Sequence, residues 1–87
     1  LRQQLERAAD SIATNIVEGA GDESEAEYAR FLTMAIRSAG ECEYHLAKVG
    51  RRGLAPVEVV ARLRSRVIGV RKMLIALRRV VRGEGGI

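Results

Sequence analysis

Side chains able to bind a metal or to perform acid–base chemistry are concentrated in one short segment, which contains Glu41, Cys42, Glu43 and His45. Di-iron helical bundles need Glu-x-x-His motifs on two helices. The chain has a single histidine, and the residue three positions before it is Cys42. Glu41 and Glu43 lie two positions apart, so they do not share a face of a helix. The sequence therefore predicts a non-enzymatic protein without a metal centre, a catalytic site or a cofactor.

Structural roles account better for the reactive side chains than chemical ones. Cys42 lies on an apolar stripe and is predicted to be a small core residue. His45 precedes Leu46 and is predicted to lie at the surface or at a subunit contact. The two tyrosines, Tyr28 and Tyr44, are predicted to pack with solvated hydroxyls. A single cysteine excludes an intrachain disulfide and favours a reducing, cytoplasmic setting.

Basic side chains near the C-terminus form the second group with functional potential. Residues 1–50 carry a net charge of −4, whereas residues 51–87 carry +8. Three arginines, Arg64, Arg71 and Arg78, recur at intervals of seven and share one helix face. Arginines in such a stripe can follow the phosphates of RNA or DNA. The candidate nucleic-acid-binding residues are Arg62, Arg64, Arg66, Arg71, Lys72, Arg78, Arg79 and Arg82.

This basic face has two interpretations. As a nucleic-acid surface it is expected to bind phosphates without reading bases, because neither interleaved aromatic rings nor a helix-turn-helix or zinc signature accompanies it. Alternatively, the protein is a scaffold or adaptor whose arginines meet acids of another subunit or of a protein partner. The candidate acids are Glu6, Asp10, Glu41 and Glu43. A membrane span is not expected, because the longest apolar run, Met73 to Leu77, is too short to cross a bilayer. Membrane-surface binding is not expected either, because a bundle would use the apolar face of the basic helix internally.

Helical periodicity positions all of these groups. Apolar residues recur every three or four positions in three stretches, which predict helices over about 1–18, 25–49 and 56–82 with a tail over 83–87. Short connections favour antiparallel neighbours, so we expect a single all-α, up-down helical bundle. The C-terminal helix has an apolar stripe of heptad period, made of Val60, Leu63, Val67, Val70, Leu74, Leu77 and Val81. That of the middle helix consists of Tyr28, Leu32, Ala35, Ala39, Cys42, Leu46 and Val49.

Turn-forming residues predict the helix ends. Left-handed glycines in the segment 19–21 are expected to end the first helix. Ser24 is expected to cap the second helix with Glu27 as its capping partner, and Asp22 and Glu23 to fill the turn before it. Gly50 is expected to stop that helix, and Pro56 to occupy the first turn of the third.

Small or polar residues on the stripes predict particular contacts. Ala35, Ala39 and Gly40 are expected to allow the closest helix approach. Asn15 is expected to be a buried amide that hydrogen-bonds a neighbouring helix or the 19–21 turn.

Residues 9–21 read ADSIATNIVEGAG. They resemble the S-I-x-x-N-I-x-E-G-x-G signature of a family of small bacterial four-helix-bundle proteins first noticed in intervening sequences of 23S rRNA genes. The resemblance departs at Ala13, where a proline is usual, and at Arg37, where a glycine is usual. It marks as structural motif residues Asn15, Glu18, Gly19, Gly21, Glu27, Ser38, Glu41 and Glu43. It also includes Arg30, Phe31, Leu32, Ala35, Leu46, Gly53, Leu54, Met73 and Leu74.

The resemblance implies an architecture and an assembly. Members generally begin with a helix that this chain lacks, so three helices of a four-helix-bundle fold are expected. The fourth position would be filled by a preceding helix or by another subunit. Members are similar in forming homopentamers, which implies a homo-oligomer here. A relative among retroelement accessory proteins is a basic pentamer that binds nucleic acid and a reverse transcriptase, which favours a nucleic-acid-associated accessory role.

Overall fold

Three helices make up the chain in the computed structural model, which describes residues 1–21 and 24–84. The helices are α1 (Arg2–Ala20), α2 (Glu25–Arg51) and α3 (Val57–Val81). The described residues contain no strand, which confirms the all-α class. The sequence placed the helix ends within two residues of these bounds. The expected turn residues Asp22 and Glu23, and tail residues 85–87, lie outside the described residues.

Contacts across the helix pairs show that neighbouring helices run antiparallel. Between α1 and α2, the Oγ atoms of Ser11 and Ser38 lie 2.7 Å apart, while Gly19 packs beside Tyr28. Residue numbers thus rise along α1 as they fall along α2. The same holds between α2 and α3, where Glu43 pairs with Arg71 and Thr33 with Arg78. The described helices therefore follow the up-down-up order that the short connections predicted.

The middle helix, α2, holds the other two together. It packs against both α1 and α3. Within the described residues, no Cα atom of α1 lies within 8 Å of a Cα atom of α3. The molecule measures 43 × 27 × 13 Å, so its smallest dimension is little more than the width of one helix. Three helices in this arrangement leave the position between α1 and α3 open.

Most of the core comes from the apolar stripe of α2. Leu32, Ala35 and Ala39 are completely buried, and Cys42 and Leu46 nearly so. This agrees with the stripe that the sequence predicted for α2. A cluster forms where Leu32 and Ala35 meet Leu74 of α3. Partly buried side chains from all three helices pack around it, namely Ile12, Ile16, Tyr28, Ile36 and Val81.

The predicted apolar stripe of α3 is only half buried, which corrects the sequence analysis. Val60 and Leu74 are buried against α2, but Leu63, Val70 and Leu77 remain 37–40% exposed. Positions separated by seven residues stay on one side of a helix, whereas the alternate positions of a heptad stripe turn toward its flank. That flank of α3 faces the open position beside α1, where Val70 lines a groove, so its side chains stay partly exposed.

Gly19 serves packing rather than helix termination. The sequence predicted that α1 would end near Glu18 on left-handed glycines, but α1 continues through Gly19, and Gly21 has a right-handed φ of −84°. A Cβ atom on Gly19 would lie 2.8 Å from Cδ1 of Tyr28 and 3.0 Å from Cβ of Phe31. Gly19 therefore permits the close approach of α1 to α2. Gly40, expected at such an approach, has no neighbour within 4 Å of an added Cβ.

Replacing Gly19 with alanine is expected to lower stability although alanine favours helix. The gain in helix propensity is about 0.5–1 kcal/mol, whereas overpacking a tight contact costs about 1–3 kcal/mol. Thermal unfolding followed by circular dichroism should show a reduced midpoint. Gly69→Ala is the matched control, since Gly69 is also helical but has open space around it. That control should raise the midpoint, and equal midpoint shifts in both variants would contradict the packing role.

Glycines with a positive φ follow the ends of α2 and α3. For α2, this glycine is not the predicted one. Gly50 lies inside α2, where an added Cβ would meet Cγ1 of Val60 at 3.3 Å. Gly53 has the positive φ, 65°, and the N–H of Leu54 donates to the carbonyl of Val49. This pairing is a Schellman motif. The glycine that ends α2 was therefore predicted three residues too early. Gly50 lies inside the helix, where its missing Cβ makes room for the contact with α3.

The starts of α2 and α3 follow ordinary capping chemistry. Ser24 caps α2 as predicted, since its hydroxyl accepts from the N–H of Glu27 at 3.3 Å. Pro56 is the N-cap of α3 rather than a residue of its first turn, and its carbonyl accepts from the N–H groups of Val59 and Val60. At the other end of α3, Gly83 (φ 73°) and Glu84 form a second Schellman motif, so the predicted tail begins as an ordered helix cap.

Candidate functional site

The basic residues of α3 divide into an exposed group and an anchored pair. Arg71 donates from Nε to Oε2 of Glu43, and Arg78 donates from Nη1 to Oγ1 of Thr33 at 3.1 Å. Both arginines are half-buried against α2. The other six predicted residues are exposed, namely Arg62, Arg64, Arg66, Lys72, Arg79 and Arg82. The arginines that recur every seven residues on α3 are therefore partly tied to the neighbouring helix α2.

The ion pair between Glu43 and Arg71 bears on the two interpretations of the basic face. Glu43 was a candidate acid for contacts between subunits, but it meets Arg71 of its own chain. Glu6, another candidate, pairs with Arg2 one turn away on α1 at 2.9 Å. Exposed pairs of this kind contribute little to stability. Two of the four acids are thus engaged within the chain, whereas Asp10 and Glu41 are exposed.

An exposed apolar stripe lies on the flank of α3 opposite the one that carries Arg71 and Arg78. Its members recur at alternating spacings of four and three around Arg66, so they share one side of the helix. They are Val59, Leu63, Val70, Met73, Leu77 and Val80, all more than a third exposed. We call these six residues the open stripe. Periodicity alone did not separate it from the predicted buried stripe of α3, because three of its six members, Leu63, Val70 and Leu77, fit both stripes.

An apolar groove runs between α1 and α3 beside the open stripe. The groove has a volume of about 280 Å³, and Arg66 is its single charged lining residue. Cys42 of α2 forms part of its floor. The remaining lining residues are Ala9, Ile12, Ala13, Ile16, Val67 and Val70. Apolar surface of this kind marks a site of association when nothing covers it.

Cys42 behaves as a core residue, as the sequence predicted. Only 2% of its surface is exposed. Burial raises the pKa of the Cys42 thiol, and the negative charges of Glu41 and Glu43 raise this pKa further. The thiolate is the reactive form, so the environment of Cys42 suppresses nucleophilic chemistry.

The family-motif residues on α1 and at the start of α2 hold local structure. Asn15 is half-buried, and its Nδ2 donates to the carbonyl and the hydroxyl of Ser11 at 2.8 and 3.1 Å. Its partner is therefore its own helix, which corrects the expectation of a neighbouring helix or the 19–21 turn. The Glu27 carboxylate accepts hydrogen bonds from Nε and Nη2 of Arg30, and these hydrogen bonds lower the pKa of the Glu27 carboxyl. Glu18 is exposed.

The remaining predicted residues lie along α2 in different environments. Ser38 is buried, whereas Glu41 is exposed on the next turn. His45, expected at the surface or at a subunit contact, is half-buried, and its Nδ1 is buried without a hydrogen-bond partner. Tyr44 is exposed, and the ammonium of Lys48 lies over its ring, 4.8 Å from the ring centroid. Tyr28 is half-buried against Gly19.

Residues 1–21 and 24–84 contain neither a metal-binding cluster nor a membrane-spanning helix. No cluster of three or more His, Cys, Asp or Glu side chains in these ranges has the geometry to hold a metal ion. Within the same ranges, none of the helices has a stretch both long and apolar enough to traverse a bilayer.

Comparison with known proteins yields one finding about the family. The family model described as 23S rRNA-intervening sequence protein matches residues 1–76, which include α1, α2 and most of α3. No curated protein and no solved structure matches the chain. Arg78, Arg79 and Arg82 of the basic face lie beyond the matched residues.

Proposed function

Because the chain belongs to the family of 23S rRNA-intervening sequence proteins, we propose that it is a non-enzymatic helical subunit that associates with nucleic acid through α3. The contact surface is the basic side of α3, defined as Arg64, Arg71, Lys72, Arg78, Arg79 and Arg82. It binds the phosphate backbone of RNA or DNA rather than the bases. A cytoplasmic location belongs to the same proposal and is supported by the single, unpaired Cys42.

The observation that carries this proposal is that six of the eight candidate basic residues lie away from the open stripe. Arg62 and Arg66 lie on the same side as that stripe and are therefore left out of the basic side. The open stripe occupies one flank of the helix, and the basic side occupies the other, since Arg64, Arg71 and Arg78 recur every seven residues with Lys72 and Arg79 adjacent. Association through the open stripe therefore leaves the basic side outward. A line of arginines over several turns can contact successive phosphates.

Different members of the basic side have different roles in this proposal. Arg71 is paired with the Glu43 carboxylate, which offsets its charge, and Arg78 is held by the neutral hydroxyl of Thr33, so both side chains are less free to move. Arg64, Lys72 and Arg79 are exposed and supply the phosphate contacts. Each contact releases counterions, which gives the affinity a dependence on salt.

The test is the salt dependence of RNA binding by a triple variant, Arg64→Ala/Lys72→Ala/Arg79→Ala. Fluorescence anisotropy with labelled double-stranded and single-stranded RNA gives the affinity at several salt concentrations. Removing three phosphate contacts should reduce the slope of log affinity against log salt by about 2–3 units. Affinity at low salt should fall uniformly across RNA sequences, because the contacts do not read bases.

The matched control removes three exposed arginines outside α3, in the variant Arg2→Ala/Arg37→Ala/Arg51→Ala. It lowers the net charge by the same amount but leaves α3 intact, so its salt slope should stay close to that of the unmodified chain. Equal slopes for the triple variant and the unmodified chain would contradict the proposal. So would an unmodified chain that fails to bind RNA at low salt.

A second candidate function is a scaffold, and the open stripe together with the apolar groove supports it. In this alternative the protein is a homo-oligomer in which another copy covers the groove, with five subunits as the family resemblance implies. Its charged surfaces then hold a protein partner. The two candidates are compatible, because the groove and the basic side lie on different flanks of α3.

A further inference from the structure

Polar side chains of α1 and α2 line a second cavity, of about 350 Å³. α1 contributes Gln4, Arg7 and Ser11, and α2 contributes Ser38, Glu41 and His45. We call it the α1–α2 pocket. It uses a different side of α1 from the apolar groove and contains no residue of α3. Its volume falls at the lower end of the range for small-molecule sites.

The floor of the α1–α2 pocket is a fixed pair of hydroxyl groups. The Oγ atoms of Ser11 and Ser38 are 2.7 Å apart, and Ser38 is buried. Asn15 donates to the Ser11 hydroxyl at 3.1 Å, which holds the pair in place from one turn further along α1. A cavity with a buried polar floor suits a ligand that forms hydrogen bonds rather than an apolar one.

His45 lies in the wall of the pocket. Its Nδ1 is buried and has no hydrogen-bond partner. Buried side-chain nitrogens normally have such a partner. Nδ1 is enclosed by protein atoms rather than open to the pocket, so His45 contributes an imidazole in the wall whose NMR signals report what binds beside it.

Opposite charges lie at the mouth of the pocket on facing helices. Arg7 of α1 and Glu41 of α2 are both exposed, and the ion pairs among the described residues involve neither of them. A guanidinium binds a carboxylate through paired hydrogen bonds, and a carboxylate accepts from an ammonium. The mouth thus offers complementary partners for both ends of a zwitterion.

We propose that the α1–α2 pocket binds a small zwitterion of the free amino-acid class. The ligand carboxylate pairs with Arg7, and its ammonium donates to Glu41. The hydroxyl pair of Ser11 and Ser38 lies beneath the ligand. This site is independent of the nucleic-acid association proposed for α3, since the two share no residue.

The single histidine gives the site its own spectroscopic probe, because His45 produces the one imidazole signal of the chain. Each standard L-amino acid is titrated at fixed pH while the ¹H and ¹⁵N shifts of His45 are recorded by NMR. At least one amino acid should produce a saturable shift. Its N-acetyl derivative, which lacks the ammonium, and its amide, which lacks the carboxylate, should each bind about tenfold more weakly or worse.

Two variants test the assigned charges, Arg7→Gln and Glu41→Gln. Each should weaken binding of the same amino acid about tenfold, with an unchanged circular dichroism spectrum because both residues are exposed. Arg2→Gln, an exposed arginine outside the pocket, should leave the affinity unchanged. The proposal is overturned if no amino acid shifts the His45 signals, if inorganic phosphate alone shifts them equally well, or if Arg7→Gln binds as tightly as the unmodified chain.

Discussion

Replacing Leu32 with alanine is expected to remove about 2–5 kcal/mol of unfolding free energy. Leu32 has no exposed surface and lies in the cluster with Ala35 and Leu74, where α2 meets α3. Its neighbours are small or fixed on another helix, so they cannot collapse to fill the cavity. A chain of 87 residues has a total stability of roughly 4–13 kcal/mol. Urea unfolding followed by circular dichroism should therefore show a large loss or a variant that does not fold.

Leu63→Ala is the matched control, because it makes the same chemical change on α3 at a side chain that is 40% exposed. At protein concentrations where the chain is monomeric, this variant should lose less than about 1 kcal/mol, in keeping with substitutions away from the core. A loss as large as that of Leu32→Ala under those conditions would contradict the location of the core. A loss that appears only at high concentration would instead report a contact of the open stripe between copies.

The contrast between Leu32 and Leu63 shows how much of the fold the sequence could predict. Periodicity identified the apolar stripes of both α2 and α3, and it located the helices. It could not tell that only α2 has neighbours on both sides. Periodicity reports which residues share a helix face, whereas burial depends on whether another helix lies opposite. The stripe of α2 was therefore predicted correctly, and half of the stripe of α3 was not.

Glycines were the second source of error, for a related reason. Gly53 and Gly83 have positive φ and end their helices, whereas Gly19 and Gly50 lie inside helices and face side chains of a neighbour. Composition alone does not separate these roles. Both uses depend on the missing Cβ, but one requires backbone freedom and the other requires space. Only the position of the neighbouring helix decides between them.

The candidate sites were predictable to a similar extent. The basic character of α3 is visible in the sequence, but the anchoring of Arg71 and Arg78 depends on which residues of α2 lie opposite. Ser38 was marked only through the family motif, Glu41 also as a candidate acid for subunit or partner contacts, and His45 as a surface or contact residue. Arg7 and Ser11 were not identified, because residues from two helices meet in the α1–α2 pocket without any local spacing signal.

Introducing a charge into the open stripe is expected to dissociate the protein into monomers. The stripe extends from Val59 to Val80, which is about 30 Å of helix at 1.5 Å per residue. Together with the apolar groove it forms a long uncovered surface, and monomeric proteins seldom leave such surfaces in contact with water. We therefore expect the unmodified chain to be an oligomer by light scattering, and Val70→Glu and Met73→Glu to be monomers. Met73 is the most exposed member of the stripe, so its substitution tests association without disturbing the core.

Salt distinguishes association through this surface from association through the arginines. Contacts between apolar surfaces persist or strengthen as salt rises. The attraction between exposed charges weakens instead, because the Debye length is about 10 Å at 0.1 M salt and shortens as the salt concentration increases. An oligomer that persists in high salt would assign the subunit contact to the open stripe and leave the basic side of α3 free for nucleic acid. Lys72→Glu, on the opposite flank, should keep the oligomer size while weakening RNA binding. An unmodified chain that is monomeric at every concentration, or an oligomer that separates in salt and ignores Val70→Glu, would contradict this role of the stripe. In the second case, the arginines would lie inside the assembly.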